Sequence, residues 1–85
     1  MNIENAKTYL KELREFCIKH DTFITGCGCC DSPFAKNGKG EYTYKNINVE
    51  VDGENIIAFM DINVDDTWVT LEYDGENFTE NEKWY

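Results

Sequence analysis

Ile56-Ile57-Ala58-Phe59-Met60-Asp61-Ile62-Asn63-Val64 is the stretch of sequence that decides the fold. The alternation typical of a β-strand places Ile56, Ala58, Met60 and Ile62 on one face, and Ile57 and Phe59 on the other. A strand with apolar side chains on both faces is usually covered on both sides, so we expect this one to lie in the centre of a sheet.

Further strand-like segments flank the central one, at residues 47–51, 68–73 and, with a weaker pattern, 78–85. Turns are expected between the segments, at Asp52-Gly53, Asp65-Asp66 and Asp74-Gly75. Asp-Gly pairs are favourable in hairpin turns, and hairpins join neighbouring antiparallel strands. The pattern therefore predicts a three- to four-stranded antiparallel meander over about residues 42–85.

The N-terminal segment has the periodicity of an amphipathic helix over about residues 3–19. Its apolar stripe consists of Ile3, Ala6, Leu10, Leu13 and Cys17, widened by Tyr9 and Phe16. Because the stripe ends on Cys17, we expect that thiol to point inward. The predicted fold class is α+β, a single domain over residues 1–85 with the helix packed on the meander.

Between helix and sheet, about residues 21–40 are rich in turn-forming residues. Ser32 before Pro33 predicts a capped helical turn over residues 34–36. A loop of this length is unusual in a compact domain unless it is functional, disordered or anchored. Three cysteines lie inside it, and we expect them to anchor it.

All the cysteines lie close together in the sequence, at Cys17, Cys27, Cys29 and Cys30. Zinc is held by four thiolate or imidazole ligands in a tetrahedron, and a structural metal is a common stabiliser of small domains. We therefore predict a structural zinc site formed by these four thiols, with His20 as an alternative ligand in place of Cys29. Unliganded thiols, or a redox pair of Cys27 and Cys30, are the competing interpretations.

The charge of the chain is strongly asymmetric. The net charge is -9, and residues 41–85 hold twelve carboxylates against two lysines, whereas residues 1–40 hold five against six basic residues. Nucleic-acid binders neutralise phosphates with Lys and Arg, so direct binding to DNA or RNA is not expected. The N-terminus lacks a signal-peptide pattern and no apolar run has membrane-spanning length, which predicts a cytoplasmic protein that does not bind membranes.

The compact length, the acidic β half and the cluster of four cysteines resemble the zinc-containing type II-A anti-CRISPR proteins of phages and prophages. The resemblance implies a protein that is not an enzyme. It would bind a type II CRISPR effector, the single-subunit RNA-guided nuclease, in the host bacterial cytoplasm and block target DNA loading or cleavage. Such a nuclease holds the guide–target duplex in a basic channel, which an acidic inhibitor fits electrostatically.

The acidic half supplies the predicted partner-binding residues, namely Asp61, Asp65, Asp66, Asp74 and Glu76. A negative surface accelerates association with a basic, DNA-handling protein. A solvated surface that only keeps the protein soluble is the simpler interpretation. Two other functions stay open, a thiol–disulfide redox protein and a metal-stabilised adaptor subunit without inhibitory activity.

Overall fold

One helix packs on a five-stranded antiparallel sheet in the computed structural model, which describes residues 3–26, 30 and 32–82, with Glu82 described by its backbone only. The elements are α1 (Ile3–His20), β1 (Ala35–Lys36), β2 (Tyr42–Asp52), β3 (Asn55–Val64), β4 (Thr67–Tyr73) and β5 (Phe78–Glu82). The strands follow one another in the sheet in the order β1-β2-β3-β4-β5. The predicted α+β fold and its central strand are therefore confirmed.

The helix lies mainly over β3 and buries the apolar stripe predicted from the sequence. Ala6, Leu10 and Cys17 are its buried residues. They meet the face of the sheet that carries Val49, Ala58, Met60, Ile62 and Leu71, all of which are fully buried. Full burial of a leucine, isoleucine, valine or methionine side chain contributes about 1.5–3 kcal/mol, so this interface is the main source of stability.

The segment between helix and sheet differs from its predicted form. Residues 34–36 form no helical turn, and instead Ala35 and Lys36 pair with β2 as an additional strand, which brings the sheet to five strands rather than three or four. Two more backbone hydrogen bonds reach the same edge, from Ile47 N to Pro33 O (2.9 Å) and from Val49 N to Ile24 O (2.8 Å). The polar backbone edge of β2 needs partners, and the loop supplies them.

The three hairpin turns lie where the sequence places them. Asp65 and Asp66 form a two-residue turn with φ values of 49° and 65°, while Gly53 and Gly75 have φ values of 65° and 104°. Because a meander reverses direction at every turn, the β2–β3 and β4–β5 turns lie at one end of the sheet, and the β3–β4 turn lies at the other. We call the first the glycine-turn end and the second the aspartate-turn end.

No helix within the described residues is both long enough and apolar enough to cross a membrane.

Candidate functional site

The five predicted partner-binding residues do not form one surface. Asp74 and Glu76 lie at the glycine-turn end, whereas Asp65 and Asp66 lie at the aspartate-turn end. The seven residues of β4 separate the two ends by about 23 Å at about 3.3 Å per residue. Asp61 lies between them, within β3.

Asp61 is a correction to the predicted site, because its side chain is only 2% exposed and cannot present its charge to a partner. Asn46 Nδ2 donates to one carboxylate oxygen (2.8 Å), and Thr70 Oγ1 donates to the other (2.8 Å). Asn46 lies in an irregularity of the β2–β3 pairing and has a positive φ of 51°. Asp61 therefore ties this irregularity to β4 from the face of the sheet that is not covered by the helix.

Asp65 and Asp66 are exposed, as predicted, and their backbone conformation explains why the turn uses them. A two-residue hairpin turn with positive φ at both central positions favours Asn, Asp and Gly. Asn63 Oδ1 accepts a hydrogen bond from the Asp66 backbone N–H (3.2 Å) and stabilises the turn. The preference of this turn for aspartate explains why both positions are acidic, so binding to a partner is not needed to explain them.

The β4–β5 loop, residues 74–77, is organised by Asp74. Its Oδ1 accepts hydrogen bonds from the backbone N–H groups of Glu76 and Asn77, both at 2.8 Å. These hydrogen bonds, first the one from Asn77 and then the one from Glu76, lower the pKa of Asp74, and the charge of Arg14 adds to the effect. Asp74 is thus held ionised, and the loop is held in one conformation.

Arg14 connects the helix to this loop and was not identified from the sequence. Its Nε donates to Ile56 O (2.6 Å), and its guanidinium carbon lies 5.6 Å from the centre of the Tyr73 ring. The guanidinium also lies against Gly75, where an added Cβ would come within 2.6 Å of a terminal nitrogen. The contact requires a residue without a side chain at position 75.

Together these groups enclose a polar cleft of about 380 Å³. Its lining is Arg14, Asn55, Asp74, Gly75 and Glu76. Asp52 and Glu54, both exposed, flank Gly53 where β2 turns into β3. The glycine-turn end therefore carries four exposed carboxylates, two of which, Asp74 and Glu76, line the cleft with the half-buried Arg14, and it is the strongest candidate for a binding site in the described part of the chain.

The predicted zinc ligands fall into two groups. Cys17 is 2% exposed within the apolar core, and this burial raises the pKa of its thiol, whereas Cys30 is exposed. Cys27 and Cys29 lie outside the described residues. His20, the alternative ligand, is exposed, with its ring centre 4.5 Å from that of Phe16.

Among the residues that the structure describes, no three His, Cys, Asp or Glu side chains are grouped so that they could hold a metal ion. Two of the four predicted ligands are outside that set, so zinc binding stays a prediction.

Comparisons of this chain with protein-family models, with curated proteins and with solved structures gave no match.

Proposed function

We propose that this protein is a non-catalytic inhibitor that binds a basic surface of a DNA-handling protein through its glycine-turn end. The supporting observation is that four exposed carboxylates, Asp52, Glu54, Asp74 and Glu76, lie at this one end of the sheet, where Arg14 joins the β4–β5 loop to the start of β3. The type II CRISPR effector nuclease is the partner that the resemblance of the sequence implies. Its basic, DNA-binding surfaces have the complementary charge.

The geometry favours the glycine-turn end over the aspartate-turn end as the binding surface. The backbone hydrogen bonds to Asp74 and the contact of Arg14 with Gly75 hold the β4–β5 loop before a partner arrives. A preorganised surface loses less conformational entropy on binding than a flexible one. The density of negative charge also increases the rate of encounter with a basic partner, an effect that salt weakens.

Two charge-matched double variants test the proposal. Glu54→Gln with Glu76→Gln, and Asp65→Asn with Asp66→Asn, each remove two charges, one pair at each end of the sheet. Asn is favourable at positive φ, so the second pair keeps its turn. Among the described residues, the side chains of Glu54 and Glu76 form no hydrogen bond, so the first pair keeps its turns as well.

The readout is the inhibition of DNA cleavage by a purified, guide-loaded type II effector, together with its affinity for each variant. We expect the first pair to weaken inhibition by at least 10-fold, about 1.4 kcal/mol, and the second by less than about 3-fold. Equal losses for both pairs would assign the effect to overall charge and contradict a local interface. Unchanged inhibition in the first pair, or no binding of the wild type, would refute the proposal.

Zinc is part of the proposal as a structural cross-link between the helix end and the following loop. The thiols of Cys17, Cys27, Cys29 and Cys30 would hold it, with His20 as the alternative to Cys29. Elemental analysis of the purified protein should then find one zinc per chain, and chelation and Cys17→Ser should lower the melting temperature by similar amounts. A metal-free protein whose melting temperature does not respond to chelator would contradict the zinc site.

A redox function would use Cys27 and Cys30. Cys30 is exposed, and Cys27 lies outside the described residues, so this alternative stays a prediction. An adaptor subunit would bind a protein without changing its activity. The cleavage assay separates that outcome from inhibition.

A further inference from the structure

β5 is the last strand in the sheet order, and it pairs with β4 on one side only. Within residues 3–26, 30 and 32–82, no other strand pairs with its outer edge. Thr79, Glu80 and Asn81 are exposed on this strand. An open edge offers unpaired backbone groups to an incoming strand, and proteins often protect such edges with charged side chains, proline or a bulge. β5 has no proline and no shift in its pairing register with β4, and its exposed charge, Glu80, is negative, so it opposes an acidic segment but not a basic one.

The pairing register shows which backbone groups of β5 face outward. Asp74 N donates to Asn77 O (3.3 Å), so these two residues form a hydrogen-bonded pair. Hydrogen-bonded and non-hydrogen-bonded pairs alternate along an antiparallel ladder. The next pair, Tyr73↔Phe78, is therefore non-hydrogen-bonded, and Glu72↔Thr79 is hydrogen-bonded.

Continuing the alternation, Thr79 and Asn81 direct their backbone groups toward β4. Phe78, Glu80 and Glu82 direct their N–H and C=O groups outward. The ladder between β3 and β4 agrees with this assignment. The two-residue turn places Val64 and Thr67 in a hydrogen-bonded pair. Alternation from this pair along β4 directs the backbone groups of Thr70 and Glu72 away from β3 and toward β5.

We propose that an extended, lysine- or arginine-containing segment of the partner adds to β5 as a sixth strand. This inference rests on the proposed function, because it specifies how the basic partner is held. Main-chain hydrogen bonds of this kind provide affinity, and the side chains of alternate residues provide specificity. The outward groups of Phe78, Glu80 and Glu82 are spaced to pair with every second residue of such a segment.

The charge of the edge favours this occupant over a second copy of the chain paired in the register that uses all three outward residues. A symmetric antiparallel pairing of two β5 edges centred on Glu80 would place that residue directly opposite its own copy, and like charges in that position are destabilising. A lysine or arginine opposite Glu80 is favourable instead. On the helix side, Lys7 Nζ lies 5.5 Å from the centre of the Phe78 ring and 3.8 Å from a Glu4 carboxylate oxygen.

The edge is also continuous with the acidic glycine-turn end. The β4–β5 loop, with Asp74 and Glu76, leads directly into Phe78. A basic segment that contacts the loop can therefore continue along β5 without leaving the surface, and the two contacts reinforce each other as one extended interface.

Amide hydrogen exchange by NMR tests the edge with a defined probe, an acetylated and amidated octapeptide of alternating lysine and valine. In the free protein the amides of Phe78 and Glu80 should exchange at least 10-fold faster than those of Thr79 and Asn81. Saturating peptide should slow the exchange of Phe78 and Glu80 by at least 10-fold. A peptide with glutamate in place of lysine is the control and should give less than 2-fold protection.

Two variants at one position separate the backbone contact from the charge. Glu80→Pro removes an outward N–H and leaves the β4 ladder intact, which edge strands tolerate, whereas Glu80→Gln keeps the N–H and removes the charge. We expect the affinity for the lysine–valine peptide to fall at least 10-fold in Glu80→Pro and about 3-fold in Glu80→Gln. Unchanged exchange at Phe78 and Glu80 in the wild type with saturating peptide would overturn the proposal, whether or not Glu80→Pro folds.

The cleavage assay distinguishes this inference from the proposed function. If the Glu54→Gln and Glu76→Gln pair loses inhibition and Glu80→Pro does not, the glycine-turn end binds the effector without strand addition, and only the present inference fails. If neither variant loses inhibition, both fail. Loss in both supports the extended interface.

Discussion

Replacing Gly75 by alanine is the most direct test of how the glycine-turn end is held together. A Cβ at this position would come within 2.6 Å of one Arg14 terminal nitrogen, 2.8 Å of the guanidinium carbon and 3.0 Å of the other terminal nitrogen. The three similar distances show that the guanidinium lies flat across the glycine. Because the end of the arginine is the mobile partner, we expect Arg14 to move away rather than the loop to unfold.

The cost of Gly75→Ala has two parts. A non-glycine residue at a φ of 104° costs about 1–3 kcal/mol. Displacement of Arg14 also removes its hydrogen bond to Ile56 O and its contact with the Tyr73 ring. A hydrogen bond and a cation–π contact at a partly exposed site contribute about 1 and about 0.5 kcal/mol. We therefore expect a total loss of about 2.5–4.5 kcal/mol.

A double-mutant cycle measures separately the loss caused by the displacement of Arg14. In an Arg14→Ala background the displaced contacts are already absent, so Gly75→Ala should cost about 1.5 kcal/mol less than in the wild type. Gly53→Ala is the matched control. It also places alanine at a positive φ, but no atom of the described residues lies within 4 Å of the added Cβ, so its cost should be the same in both backgrounds.

The measurement is urea unfolding followed by circular dichroism, with thermal unfolding as a second readout. A change of 1 kcal/mol corresponds to about 4–8 °C in the melting temperature for a domain of this size. If Gly75→Ala lowers the free energy of unfolding by the same amount with and without Arg14, the contacts of Arg14 do not depend on a glycine at position 75. The proposed restraint of the β4–β5 loop by Arg14 is then wrong. A coupling between Gly53 and Arg14 of similar size would also contradict it.

Three further predictions concern the core, the buried carboxylate and the loop. Leu10→Ala should lower the free energy of unfolding by about 2–5 kcal/mol in urea titrations, whereas the exposed Lys11→Ala should change it by less than about 0.5 kcal/mol. Thr70→Val should cost about 1–3 kcal/mol because it removes a donor from Asp61, and Thr70→Ser should retain most of the stability. The lowered pKa of Asp74 stabilises the fold above the ordinary value of 3.8, and this contribution is lost as the pH falls through the folded-state value. Asp74→Asn keeps an acceptor for the loop, so its melting temperature should fall less between about pH 4 and pH 2 than that of the wild type. An identical acid response in both proteins would contradict that role for Asp74.

The helix, the long strands and the turns could be predicted because each is specified locally. The apolar stripe from Ile3 to Cys17 has one periodicity, and the stretch from Ile56 to Val64 has another. Asp-Gly and Asp-Asp pairs mark positions where positive φ is required, and the structure has positive φ at Gly53, Asp65, Asp66 and Gly75. Local pattern and global fold agree at these positions, as expected of sequences that fold to one structure.

Strand β1 and the irregularity at Asn46 could not be predicted, because both depend on contacts across long stretches of sequence. Ala35 and Lys36 form a strand only because the outer edge of β2 lies beside them, which overrides the helical signal of Ser32 and Pro33. Asn46 has positive φ in the middle of a strand, and its partner Asp61 is buried although aspartate is usually exposed. The position of Asp61 inside the apolar stretch Ile56–Val64 indicates burial, but nothing near it in the sequence identifies Asn46 and Thr70 as its partners.

The division of the acidic residues between two ends is a different case, because the sequence contains enough information to derive it. Three successive turns in a meander alternate between the ends of the sheet, so Asp65 and Asp66 must lie opposite Asp74 and Glu76 once the strands are assigned. The amino-acid composition alone shows one acidic half, residues 41–85, and does not show that its carboxylates lie at two ends of the sheet. Of the two ends, as far as the structure describes them, only the glycine-turn end combines an ionised carboxylate, Asp74, with a residue of the helix, Arg14, that fixes the loop against the sheet. Because β5 leaves this end with its outward backbone groups unpaired in the described part of the chain, loop and edge together form a surface that a single basic segment can follow.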